Sequence, residues 1–372
     1  MALINWSHSL GLPRRIAHGS AIVLLAWVGL LPVLVVLAHV PLLASHFAAF
    51  DAIGRSWLGA AYFAASCMAG GVAIAQWIWR RFLRGTPRVE RSRHEERVAA
   101  GAIPPDPPAQ NLLARLLLSV PGNQMRDLRV THCEIEIPRL DPSLDGLSVV
   151  HLSDIHLTGL IDRSYFEYAA QLVREWSPDL VAVTGDLVDD NACLDWLPDT
   201  LGRLEGRFGA YFILGNHDHR VDSAQVRRIL GQSGLIDLGG RWIETTVRGQ
   251  RILLAGNETP WFASTADLGD AGDDGGPRRL RIALCHSPDQ FGWARANDVD
   301  LVLCGHTHGG QICLPGIGPL LVPSRFGVRY AGGTFHREPT VMCVQRGLSA
   351  EVPIRLFCPP EIVRLALRAS PR

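Results

Sequence analysis

The chain has 372 residues and 36 basic against 36 acidic side chains, so its formal net charge is zero and gives no electrostatic reason to expect a nucleic-acid partner. Every basic residue is arginine; with no lysine, a Schiff-base lysine and a P-loop lysine are both excluded, and several enzyme classes with them. The eight cysteines form no C-x-x-C pair and mostly sit in apolar runs, which fits small buried hydrophobes in a reducing compartment better than a disulfide framework.

In chain order, residues 1–15 form a tail ending in Arg14 and Arg15. Residues 16–50 and 56–79 contain no Asp, Glu, Lys or Arg. They predict two membrane spans, over residues 20–40 and 56–79, since a crossing needs ~20 apolar residues. Gly59, Ala60, Ala64, Ala65, Ala69, Gly70 and Gly71 allow the second helix to pack closely on the first. Arg14 and Arg15 precede the hairpin, and Arg80, Arg81, Arg84, Arg88, Arg91 and Arg93 follow it, whereas the connecting loop carries only Arg55. By the positive-inside rule both ends lie in the cytoplasm, which predicts a multi-pass protein of the inner membrane whose main domain faces the cytoplasm. Residues 80–126 read as a linker, basic at first and then proline-rich at 103–108. Within it, residues 111–120 form either an interfacial helix on the bilayer or a helix packed on the following domain.

From residue 127 strands and helices alternate. Strands are expected at 130–137, 147–152, 179–184 and 210–214, with helices at 164–176, between 190 and 210, and at 223–231. A hairpin joins 241–247 to 251–255 through Arg248, Gly249 and Gln250. Residues 263–279 are a Gly- and Asp-rich flexible loop. Then come a strand at 281–285, a short helix at 288–296, a strand at 299–304, and late strands including 341–345 and 353–357. This order predicts an α/β fold, a two-sheet β-sandwich flanked by helices, with the late strands in the second sheet.

Five of these strands end in polar residues able to bind metal: Asp154 and His156; Asp186; Asn216 and His217; His286; His306 and His308. Ligands gather at the carboxyl ends of strands in layered α/β folds, so residues far apart in sequence can converge there. If the backbone stays extended at 306–308, both imidazoles share one face.

The ordered set D-x-H, G-D-x-x-D, G-N-H-D, H and G-H-x-H, spanning residues 130–368, resembles the calcineurin-like metallophosphoesterases. The extended G-H-T-H-G-G-Q-I, with Gly347, Pro353-Ile354-Arg355 and Pro359-Pro360-Glu361, is similar to their membrane-associated bacterial branch. Together with the uncharged runs, the resemblance divides the chain into a tail with two spans at 1–79, the linker at 80–126 and an expected metallophosphoesterase domain at 127–372. It implies that Asp154, His156, Asp186 and His308 hold one metal and that Asp186, Asn216, His286 and His306 hold a second, with Asp186 bridging. Mixed nitrogen and oxygen donors suit Mn, Fe or Zn. Two such ions, ~3.5–4 Å apart, clamp a displacement at phosphorus and acidify the water between them to hydroxide. His217, oriented by Asp189, then protonates or stabilises the leaving oxygen. Arg325 and Arg329 are candidates for steadying the phosphoryl charge.

Other polar residues carry blander expectations. His219 reads as a surface histidine, His151 as structural, and Asp190 and Asp218 as turn residues; nothing is assigned to His336. The expected activity is hydrolysis of a phosphodiester or pyrophosphate bond in a phosphorylated small molecule or a lipid-linked substrate such as UDP-diacylglucosamine, next to a bilayer. The alternative is a non-catalytic metal-binding interaction module on the same fold. A transporter finds no support, because the spans contain no ionisable Asp, Glu, Lys or Arg to mark an ion path.

Overall fold

The computed structural model describes residues 89–99, 101–103, 112–262, 265–269, 278–319 and 321–370, together with Ala64, Ala65, Met68, Gly71 and Ala75, which are helical. Most of both expected spans, and the tip of the acidic loop, lie outside the described residues. Among the described residues no helix is long and apolar enough to cross a membrane.

The chain runs through β1 (Glu90–Arg97), α1 (Leu112–Leu118), β2 (Arg129–Ile137), β3 (Leu147–Leu152), α2 (Arg163–Trp176), β4 (Leu180–Thr184), β5 (Ala210–Ile213), α3 (Ser223–Gln232) and β6 (Ile236–Asp237). It continues through β7 (Trp242–Val247), β8 (Gln250–Asn257), β9 (Leu280–Cys285), α4 (Phe291–Ala296), β10 (Leu301–Cys304), β11 (Cys313–Leu314), β12 (Gly318–Pro319), β13 (Gly333–Arg337), β14 (Thr340–Val344) and β15 (Glu361–Ala369). One sheet has seven strands in the order β1-β2-β15-β3-β4-β5-β6, and the other has six in the order β13-β14-β10-β9-β8-β7.

The period of two along each strand builds the layers. Leu147 and Val149 of β3 enter the core between the sheets, where they join Ile252, Leu254, Leu284 and Leu303 of the second sheet. Val150 and Leu152 point the other way, onto Tyr165, Phe166, Ala169, Ala170 and Val173 of α2. On the far face, Val302 and Cys304 of β10 pack with Phe291 and Ala294 of α4. The result is helix, sheet, sheet, helix. Side chains on both faces of the central strands are buried, which is why β3, β4, β9 and β10 are nearly continuous apolar runs. The hairpin turns through Arg248 (φ 50°) and Gly249 (φ 80°), the left-handed pair that a two-residue link between twisted strands requires.

Four elements depart from the sequence reading. Residues 90–97, read as linker, form edge strand β1, antiparallel to β2. Its sequence has no apolar alternation because charge pairs hold it: Arg91 to Glu136 at 2.8 Å, Arg97 to Asp127 at 2.6 Å, and Glu95 to Arg346 at 3.1 Å. A charged edge also discourages pairing with other chains. The helix expected before β5 is only two 3-10 turns, Asn191–Trp196 and Leu201–Arg203, in a segment broken by Pro198, Gly202 and Gly206. Residues 353–357 are not a strand; the late strand is β15, central in the first sheet between β2 and β3. Its Ile362, Val363, Leu365 and Leu367 are all buried. The second sheet starts at β7, and the late region adds only β13 and β14 to it.

Candidate metal centre

All five strand-end motifs meet at one place. Asp154 and His156 follow β3, Asp186 follows β4, Asn216 and His217 follow β5, His286 follows β9, and His306 and His308 follow β10. Parallel pairing of β3 with β4, of β4 with β5 and of β9 with β10 brings these ends level. The backbone does not stay extended there. Asp154, His156, Asp186, His306 and His308 all have φ between 49° and 70°, a left-handed conformation that turns each side chain inward at some cost in strain. So His306 and His308 reach the site through a tight turn rather than by sharing a strand face.

Among the described residues three groups of potential ligands result, of which two share Asp186 and the third joins His156 to Asp189 and His217. Asp154, His156, Asp186 and His308 present ligand atoms within 4.8 Å of one another, and so do Asp186, His286 and His306. Asp186 belongs to both. His286 Nε2 lies 3.2 Å from Asp186 Oδ2, 3.2 Å from His306 Nδ1 and 3.1 Å from Asn216 Oδ1. A single N–H can serve only one of these, whereas a cation among them satisfies all three. His286 Nδ1 donates to the Thr184 carbonyl at 2.7 Å, which leaves its Nε2 lone pair facing inward. His156 Nδ1 donates to Asp189 Oδ2 at 2.7 Å, with the same effect. His308 Nε2 is 3.4 Å from Asp154 Oδ1 and 3.2 Å from His156 Nε2. These tautomers and the mixed donor set fit two transition-metal ions.

The carboxylates also hold the loops. Asp154 accepts the His306 N–H at 3.0 Å, and Asp186 Oδ1 accepts the His217 N–H at 2.8 Å. Gly305 is needed because a Cβ there would lie 1.7 Å from Ser153 Oγ and 2.3 Å from Asp154 Oδ2. Gly305→Ala is therefore expected to displace Asp154 and His306 together and to lower bound metal below one ion per chain, measured by atomic emission on the purified protein.

Metal uptake should also release protons. Burial pushes His156 and His286 down, but Asp189 beside the first and Asp186 beside the second outweigh it and raise both to about 9. In the metal-free protein at pH 7 both are then charged, and a metal displaces the Nε2 protons. Affinity is expected to climb with pH up to about 9, with ~2 protons released per loaded site at pH 7. Calorimetry in buffers of different ionisation heat reads this directly, and a buffer-independent heat would refute it. The sign for stability is opposite. Raised histidines favour the metal-free fold fully below their unfolded value of 6.5, and that contribution fades as pH rises through 9.

Beside the clusters, Asp189 accepts from two histidines: His156, and His217 through its Nδ1. The two imidazoles hold its carboxyl well below the usual range against the opposing effect of burial. His217 Nε2 faces the gap between the clusters, 4.0 Å from Asp186 Oδ2.

A sequence profile described as calcineurin-like phosphoesterase matches residues 147–310. An uncharacterized metallophosphoesterase of Bacillus subtilis, YkuE, is 30% identical over 65% of this chain and 86% of its own length. The chain belongs to the calcineurin-like metallophosphoesterase family. It is thus a member of a family of metal-dependent phosphoesterases, which are hydrolases. Escherichia coli phosphodiesterase YaeI is 30% identical over 59% of this chain and 81% of its own. A bovine transmembrane protein with a metallophosphoesterase domain is 30% identical over 71% of this chain; the chain spans 63% of that relative's length.

Of the expected ligand set, all but Asn216 fall in the two clusters, and Asn216 Oδ1 lies beside His286 Nε2. Arg325 is taken up by Asp289, whose carbonyl it meets at 2.6 Å, and Arg329 stacks over Tyr330 at 5.0 Å. The guanidinium placed beside His217 is Arg220, whose Nη2 is 3.2 Å from His217 Nε2 and whose Nη1 is 2.9 Å from Glu351. Neither Arg220 nor Glu351 stands in a motif, so spacing offered no signal for them. Trp261 was missed for the same reason; its ring lies 4.8 Å from His306 and 5.3 Å from His286 and walls the second cluster. His219 is exposed, as expected, and holds the Trp261 carbonyl. His151 is buried on Thr184 at 2.8 Å, and Asp190 caps a 3-10 turn. His336 pairs with Glu338 at 3.5 Å. Asp218 is more than a turn residue. Fully buried, it accepts the N–H groups of Leu187, Val188 and Gly215 and so ties the Asp186 loop to the Asn216 loop.

Proposed function

We propose that this metallophosphoesterase is a membrane-anchored enzyme that cleaves a phosphodiester or pyrophosphate bond with two divalent ions, Mn, Fe or Zn, in the paired cluster. The observation that carries the reading is Asp186, shared between the two clusters with the His217–Asp189 pair beside it. Asp154, His156, Asp186 and His308 would hold one ion, and Asp186, Asn216, His286 and His306 the other. When bound, the ions supply Lewis-acid stabilisation of the phosphoryl oxygens and acidify the attacking water.

The chain's own groups do the rest. Asp189 accepts from His217 Nδ1 and so turns Nε2 toward the reacting gap, where the imidazolium form would carry the exchangeable proton. His217 delivers that proton to the leaving oxygen. Arg220 approaches the same point and offers a guanidinium to a non-bridging phosphoryl oxygen when it exchanges its partner Glu351 for substrate. Trp261 presents an aromatic wall to the group attached to phosphorus.

The two uncharged runs support a hairpin anchor at 1–79, followed by a connecting segment and the catalytic domain at 127–372, in the cytoplasm by the arginine distribution. Relatives from cattle and zebrafish are named as transmembrane proteins, in keeping with such an anchor. A substrate presented from the bilayer follows from this tethering.

The test is hydrolysis of bis-p-nitrophenyl phosphate and p-nitrophenyl phosphate by metal-stripped full-length protein given back Mn²⁺, Zn²⁺, Fe²⁺ or Mg²⁺. Metal-dependent turnover that favours the diester is expected. A folded protein that binds two ions yet turns over neither ester nor UDP-diacylglucosamine would overturn the reading.

A further inference from the structure

We infer that the apolar rim beside the metal centre is a docking surface for a lipid bilayer, seating the mouth of the site on the membrane. The inference deepens the proposed function and rests on it for the source of substrate. Among the described residues eight large apolar side chains are exposed. One, Met68, belongs to the uncharged run 56–79. The other seven fall in three short segments that touch one another.

The first segment is α1, which packs one face on the domain and leaves another exposed. Ala114 is buried and Leu118 packs on the core, while Leu112 and Leu116 are 67% and 58% exposed. Arg115, also exposed, shares their strip. The second is the loop that carries Val352 and Phe357, 45% and 64% exposed. The third is the β11–β12 hairpin, with Ile312, Leu314 and Ile317 each more than 40% exposed.

Hydrogen bonds sew the three into one face. Asn123 Nδ2 donates both to the Leu117 carbonyl at the end of α1 and to the Pro353 carbonyl. Gln311 Nε2 donates to the carbonyls of Val352 and Ile354, and the Cys313 N–H reaches the Leu356 carbonyl. Behind the face, buried Arg355 holds the loop to the carbonyls of Arg346 and Ser349 and lies 3.3 Å from His308 Nδ1. The loop also carries Glu351, the partner of Arg220 over His217. The rim therefore borders the metal centre directly.

Two observations select a bilayer as the occupant. First, residues 80–89 join the second uncharged run to β1, whose Glu90 pairs with Ile135 at the end of the sheet away from the metal centre. An extended link of this length reaches ~35 Å, more than the ~27 Å that β1 spans, so a membrane anchored by those runs is within reach of the patch. Second, an arginine set among exposed leucines matches an anionic interface, where the guanidinium meets headgroups and the leucines enter the acyl boundary. With the rim seated, a phosphorylated headgroup can pass from the bilayer to the Arg220 side of the site without crossing water.

The test uses the full-length chain in nanodiscs of phosphatidylcholine and phosphatidylglycerol. An environment-sensitive fluorophore is placed at Leu116→Cys, Phe357→Cys or Glu205→Cys, with labelled wild type as the baseline. Glu205 is exposed and precedes β5, at the end of the sheet away from the site. Doxyl-labelled lipid is expected to quench the labels at 116 and 357 at least twofold more than the label at 205. Equal quenching at all three, or none, would overturn the proposal. So would labels at 116 and 357 that are shielded without lipid quenching in a dimeric particle, which would give the face to a second copy. Hydrolysis of soluble bis-p-nitrophenyl phosphate in the same samples keeps the two readings apart. Quenching without turnover of this diester, p-nitrophenyl phosphate or UDP-diacylglucosamine would remove the phosphoesterase reading alone, and turnover without quenching the docking alone.

Discussion

Asp186→Asn is expected to lower turnover of bis-p-nitrophenyl phosphate ~10³-fold and to reduce bound metal from two ions to one or none. Asp186 is the only carboxylate common to both clusters, and its Oδ2 is 3.2 Å from His286 Nε2 and 3.7 Å from His156 Nε2. The neighbouring histidines hold it well below the usual carboxylate range even though burial opposes this, so it is an anion in the folded protein. The amide keeps the shape and one oxygen acceptor but removes the charge that lets two cations sit close together. Losing several kcal/mol of charge stabilisation in the transition state corresponds to about three powers of ten in rate. Atomic emission and the hydrolysis assay are run on the same sample. Full activity with two ions retained would show that the clusters do not share a bridging ligand.

His217→Ala is expected to cost about 10²–10⁴-fold in kcat while leaving two ions bound, the range for loss of a positioned proton donor. His217 sits outside both ligand clusters that contain Asp186. The loss should be smaller for a diester whose leaving group is already acidic, such as p-nitrophenol, than for one with an alkyl alcohol, because the first needs no proton. Asp189→Asn separates two roles. Its carboxylate accepts from His156 as well as from His217, so the amide is expected both to slow turnover and to weaken metal binding ~10–100-fold. If His217→Ala strips metal, or if its effect is the same for both leaving groups, His217 is not the proton donor.

Sequence and structure divide the site along a clear line. The clustered residues were legible because each stands in a short motif at the end of an apolar run, and parallel strands bring such ends together whatever the details of packing. The loop geometry was not legible. An extended Gly-His-Thr-His was expected, whereas left-handed turns at His306 and His308 aim the rings, a choice made by Asp154 accepting the His306 N–H. Asp218 reads as a turn residue until three N–H groups from two loops are seen to converge on it. Arg325 and Arg329 looked eligible by proximity in sequence to the last motif; packing gave them to Asp289 and Tyr330 instead.

The same holds for the scaffold. The alternation of apolar strands and amphipathic helices was enough to specify an α/β sandwich, since each element must bury one face and only a few layer arrangements allow it. Edge strand β1 escaped notice because cross-strand ion pairs, not apolar periodicity, hold it. Central strand β15 lies at the chain's end, far in sequence from the β2 and β3 it separates.

By itself, the sequence determined the chemistry: which side chains can bind metal, that they lie at strand ends, and that two uncharged runs precede them. Only the tertiary structure decided which carboxylate is shared, which arginine stands beside His217, and that α1, the 352–357 loop and the β11–β12 hairpin form one exposed apolar rim. The reason is range. Motifs record local constraints on the backbone, whereas a shared ligand, an ion pair such as Arg220–Glu351 across 131 residues, or a surface patch exists only once distant segments are placed against one another.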